Sequence, residues 1–214
     1  QLRRVTIRNV GGKYGIYAHS APRDRYPDNR FVSVRLIDVT CDAPVLFHGP
    51  MEQLTIQGGR YGALFLGWKY DHSTEKRGEV AAMTNTTVRV SHATFGRIDV
   101  MAADARVSLF NLLIDGKGKS RHGVQVVGGT DLRISHCTIS GTGTGVELEG
   151  TAAATLRNSI VWGNKLGLTG SKSRPIVDHC CLQGPLPETA VDRGGNLNTP
   201  PLFVTGPSGG FYLA

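Results

Sequence analysis

The sequence predicts an all-β fold, a single-stranded right-handed parallel β-helix: a solenoid of about eight coils with three short strands in each. Three observations predict it. One short phrase recurs along the chain, alternating apolar and polar residues before an Asn or His. A second apolar strand, often ending in Gly, precedes most recurrences. The composition, with 28 glycines in 214 residues and 19% charged residues, suits a turn-rich β protein better than a helical bundle.

The phrase is clearest at Val88-Arg89-Val90-Ser91-His92 and Leu132-Arg133-Ile134-Ser135-His136, and it returns at Val107–Asn111 and Ala154–Asn158. Looser copies begin at Val5, Val32, Leu54 and Pro175, so successive starts lie 19 to 34 residues apart. Alternation marks a strand with one buried face. The expected inward columns are Val5/Val32/Leu54/Val88/Val107/Leu132/Ala154 and Ile7/Val34/Ile56/Val90/Leu109/Ile134/Leu156/Val177. Thr6, Ser33, Thr55, Arg89, Ser108, Arg133 and Thr155 face out between them.

Second strands read as Val45–Gly49, Val124–Gly128, Val146–Gly150 and Leu166–Gly170; third ones fall near Phe95, Ile114, Ile139 and Val161. None of these buries a face alone, and stacking the coils about 4.8 Å apart buries all of them in one column. Residues 1–183 are read as coils and 184–214 as a closing segment of the same domain. The chain opens on a strand pattern at Leu2–Ile7, which reads as a domain cut from a larger parent chain, with open ends that need covering.

The formal charge of +7 comes from scattered Lys and Arg, with short groups only at Arg23–Arg25 and Lys117–Arg121. This reads as a solvated basic surface and not as a nucleic-acid footprint. No apolar run approaches the roughly 18–20 residues that membrane insertion requires.

The repeats resemble those of the pectate-lyase-like superfamily of parallel β-helices, in the form found in bacterial surface repeat proteins. Asn9, Asn111 and Asn158 look like that family's internal ladder of side-chain amides. The tail Gly195-Asn196 … Pro200-Pro201-Leu202-Phe203-Val204, followed by Gly210-Phe211-Tyr212-Leu213, is similar to its closing segment, with Pro200, Thr205 and Phe211 where that pattern favours Asp. The resemblance implies an extracellular or cell-surface module whose partner is a polysaccharide, anionic ones included. It covers lyases, hydrolases, epimerases and coils without activity, so it does not select a chemistry.

Candidate residues follow from the coil alignment. His92, His136 and His179 occupy the ladder position, facing one way along the axis instead of converging as zinc ligands do. Cys137 and Cys180 sit two coils apart, beyond the ~7 Å limit for a disulfide, so the thiols are expected to be unpaired.

Family enzymes place their chemistry on the sheet matching the second strand, whose outward positions read Tyr17/His19, Leu46/His48, Leu64/Leu66, Asp99/Met101, Gln125/Val127 and Glu147/Glu149. Long excursions at 20–30 and 67–85 flank the short turn at Pro50 and wall a groove over Tyr17, His19 and His48. One wall carries Arg23 and Arg25; the other carries Trp68, Tyr70 and Asp71. Aromatic, charged and hydrogen-bonding groups together suit sugar binding, and His48 is the best-placed general base there. A second patch sets Asp99 and Glu147 about 9.6 Å apart by two strand spacings, at the upper edge for an inverting glycosidase pair.

No catalytic set stands out. The first reading is therefore a module that binds or presents polysaccharide. A polysaccharide lyase or glycoside hydrolase on the grooved face is the alternative, and a structural spacer the third reading. No cofactor is evident; Ca2+ enters only with the lyase.

Overall fold

Alternating apolar side chains drive this chain into short parallel strands that stack coil upon coil. The computed structural model describes residues 2–3, 6–7, 14–19, 31–49, 51–67, 83–102, 104–170, 172–206 and 209–213. Every described element is a strand. Nine strands, beginning at Leu2, Phe31, Met51, Thr84, Asp104, Asp131, Ala153, Ile176 and Val191, form one parallel sheet; a second parallel sheet has an eleven-stranded order. An antiparallel hairpin, Phe203–Gly206 with Gly209–Leu213, ends the chain.

Six coils run through both sheets, starting at Phe31, Met51, Thr84, Asp104, Asp131 and Ala153, against the eight or so expected. At either end Leu2–Arg3, Ile176–Asp178 and Val191–Asp192 stack without a full described circuit. The second and third short strands stay separate at Thr94–Phe95 and Ile98–Met101. They fuse into one bent strand at Leu113–Val127 and at Thr138–Glu149.

From the coil starting at Met51 on, the columns match expectation. Leu54, Val88, Val107, Leu132 and Ala154 are in register, as are Ile56, Val90, Leu109, Ile134, Leu156 and Val177, and all are buried. The early coils differ. Val34 pairs with Leu54 and Leu36 with Ile56, a slip of two residues, and Leu2 joins Leu36 while Ile7 pairs with Cys41 in the second sheet. A two-residue slip keeps each side chain on its face, so alternation alone does not detect it.

The ladder position is also corrected. Asp38, His92, Asn111, His136, Asn158 and His179 hold φ between 48° and 56°, the left-handed conformation that Asn, Asp and His tolerate best. Asn111 and Asn158 are exposed there, so their amides form no internal ladder; Asn9 lies outside the described residues. What runs along the axis is backbone: His92 N–H donates to Phe110 O, Asn111 to Ser135, His136 to Arg157 and Asn158 to Asp178. Near the C-terminal end of the stack, Asn196 Oδ1 accepts the Cys180 N–H and its Nδ2 donates to Val177 O and Asp192 Oδ1.

Candidate functional site

Strand pairing in the second sheet sets one outward column across seven strands: Tyr17, Leu46, Phe65, Asp99, Gln125, Glu147 and Thr169. Phe65 takes the place expected of Leu64 or Leu66, which point inward with Val45 and Phe47. His48 follows Leu46 by two residues and pairs with His19. Nothing further is described for His19, and Arg23, Arg25, Trp68, Tyr70 and Asp71 lie outside the described residues.

The first half of the column is aromatic. Tyr14 stacks on Tyr17 at 5.8 Å between centroids and meets Phe65 edge-on at 6.3 Å. Leu46, Ala63 and Phe65, with Tyr14 against them, make a small apolar cluster outside the main core. Tyr17 is half exposed and shares a 2.6 Å hydrogen bond with His48 Nε2. Burial of its inner part, then Tyr14 alongside, push the Tyr17 phenol above its ordinary pKa. His48 is only 6% exposed, so it is not the open general base that its outward parity suggested. Its Nε2 already faces Tyr17.

The second half is charged and tightly packed. Asp99 is 1% exposed and His122 2%. His122 Nε2 lies 2.9 Å from Asp99 Oδ1, and its Nδ1 lies 3.3 Å from Glu147 Oε2. One imidazole thus spans the two carboxylates that the sequence placed as an open pair two spacings apart. Gln125 Nε2 donates to Glu147 Oε2 at 3.2 Å and to Glu149 Oε1 at 2.7 Å. Arg97 joins the halves: its guanidinium sits 4.9 Å over the Phe65 ring and its Nε 3.6 Å from Asp99 Oδ2.

A family model described as a right-handed β-helix region matches residues 73–182. The chain belongs to this right-handed β-helix family. A β-helix of this kind is a structural or carbohydrate-related module. No curated protein and no solved structure matches the chain.

The β-helix therefore brings together two regions that sequence reasoning kept apart. Tyr17 and His48 on the early coils, and Asp99 and Glu147 on the later ones, share one outward strip with Arg97 between them. Coil alignment alone did not place His122 at the centre of the acidic patch. The strand register shifts between Asp115 and Ser120, and this irregularity precedes His122. Among the described residues no three His, Cys, Asp or Glu side chains converge as metal ligands do.

Proposed function

We propose that this β-helix is an extracellular or cell-surface module that binds polysaccharide lengthwise along the outward strip of its second sheet. The observation that carries the reading is the strip's composition: the Tyr14–Tyr17 stack and Phe65, then Arg97, then acidic and amide groups. Ring faces offer apolar platforms, while fixed polar groups orient hydroxyls or carboxylates. A solenoid repeats such groups at the strand spacing, which suits a linear polymer. Arg97 suits an acidic sugar, and the loop residues Arg23, Arg25, Trp68, Tyr70 and Asp71 are proposed to wall the same strip.

Affinity electrophoresis through gels containing neutral or uronic-acid polysaccharides, with and without calcium, tests this. At least one polysaccharide should retard the protein, and Tyr17→Ala should weaken the effect roughly tenfold, in keeping with the ~1.4 kcal/mol that one lost contact of this kind represents. Retardation by none of the panel would favour the spacer reading, and equal retardation of the variant would put binding away from this strip.

A further inference from the structure

The outward face of the first sheet holds a regular row of charge. Because the early register slips by two residues, Arg35 and not Ser33 pairs with Thr55. Strand pairing then runs one central column as Arg35, Thr55, Arg89, Ser108, Arg133 and Thr155, a cation on every second strand with a hydroxyl between. The three arginines are exposed and the three hydroxyl residues half-buried, so the guanidinium groups stand above a polar floor. By strand spacing their Cα atoms lie ~9.6 Å apart along the solenoid axis.

Neighbouring strands are stabilised where opposite charges face one another. Here each arginine faces neutral hydroxyls, and the column leaves its positive charge uncompensated. Arg35 and Arg89 make no ion pair among the described residues. Arg133 meets Asp131 at 3.3 Å, but both side chains are exposed and solvent screens the contact. The other charges of this face stand to either side: Arg106, Glu52 and Asp104, and Arg157, which Asp178 holds at 2.7 Å. Phe110, two residues beyond Ser108, is 41% exposed and offers a ring beside the column. A depression of about 420 Å³ opens on the same face, lined by Arg89, Thr87, Gln53, Ser33 and Glu52.

We infer that this row docks a linear acidic polysaccharide, a chain of uronic acids laid along the solenoid axis, on a face separate from the second-sheet strip. Arginine's planar fork matches a carboxylate with two parallel hydrogen bonds. In an extended uronic-acid ribbon with two sugars per turn, the carboxylates on one edge recur once every two sugars, a period of the same order as two strand spacings. The hydroxyls between the arginines and the ring of Phe110 meet the sugar hydroxyls and apolar sugar faces. A nucleic-acid duplex presents one charge per ~1.7 Å of axis, far denser than this row, and curves away from a flat face.

Affinity electrophoresis of the whole chain through gels holding polymannuronate, or the same polymer reduced to neutral mannan, tests this. Polymannuronate should retard the unmodified chain, less so as salt rises. Replacing the row together, Arg35→Gln, Arg89→Gln and Arg133→Gln, should weaken that retardation about tenfold, the sum of three modest exposed contacts. A charge-matched variant on the second sheet, Arg60→Gln, Lys117→Gln and Lys119→Gln, should retain most of it. Equal retardation of the row variant and the unmodified chain, or an equal loss in the charge-matched variant, would overturn the inference. So would retardation by mannan as strong as by polymannuronate, no retardation by polymannuronate at all, or duplex DNA held as tightly at the same salt. Tyr17→Ala separates the two faces: loss in that variant with none in the row variant removes this site and keeps the strip. Loss in the row variant with none in Tyr17→Ala keeps this site and removes the strip as the seat of binding for this polymer.

Discussion

At the scale of single residues, burial decides what this chain's reactive groups do. All four cysteines are free; Cys41, Cys137 and Cys180 are buried and Cys181 is half-buried. Burial pushes the Cys137 thiol up to about 11, and it raises the other three as well. The thiolate is the nucleophile, so a raised pKa leaves little of it near neutrality. Alkylation of the native protein at pH 8 should therefore be slow, beginning with Cys181, and should accelerate as pH rises toward these shifted values. After unfolding without reductant, four thiols should titrate at once. A titre of two or none would mean disulfides that this coil register forbids. The same logic reassigns His48. Outward parity was legible from its position two residues after Leu46, but the covering Tyr17 was not, because that contact joins coils 31 residues apart.

At the scale of the element, each of the six coils places a left-handed residue just after its first-sheet strand, and this explains what the sequence disclosed. The Asn and His at the end of each phrase were visible as a recurrence, and they recur because few side chains accept φ near +50°. Their reading as an inward amide ladder failed because a backbone requirement leaves the same sequence mark as a side-chain one. His92 separates the two. Replacing it with Asn should change stability by less than about 1 kcal/mol, since the lost edge contact to Phe110 at 5.5 Å is small. Replacing it with Val should cost about 1–2 kcal/mol more, because a β-branched side chain resists that conformation. Equal midpoints for the two variants in urea denaturation would show that the turn carries no such strain. The columns from Leu54 onward were legible because their outward neighbours are Thr, Ser and Arg. The run Ala63–Leu66 was not: its outward Ala63 and Phe65 are as apolar as its inward Leu64 and Leu66, so the parity left no trace.

At the scale of the whole molecule, the solenoid's stability is a sum over neighbouring coils, and its weak points are where stacking stops. Val191–Asp192 is the last described strand of the first sheet and pairs only with Ile176–Asp178, so its other edge is unpaired among the described residues. Close by in sequence, Leu197 is 59% exposed and Leu202 73%, with Val204 also exposed. An unpaired edge beside exposed aliphatic side chains is a template for a second chain, and Asp192 and Arg193 are charges on the strand's flank that oppose it. Sedimentation velocity should accordingly show a weight-average coefficient that rises with protein concentration. The double variant Leu197→Lys, Leu202→Lys places two like charges on that surface and should flatten the dependence without altering the core, since neither leucine belongs to it. A coefficient independent of concentration in the unmodified chain would show that this end is already closed. An unchanged slope in the variant would move the association to another surface, with the half-exposed Tyr17 strip as the next to test.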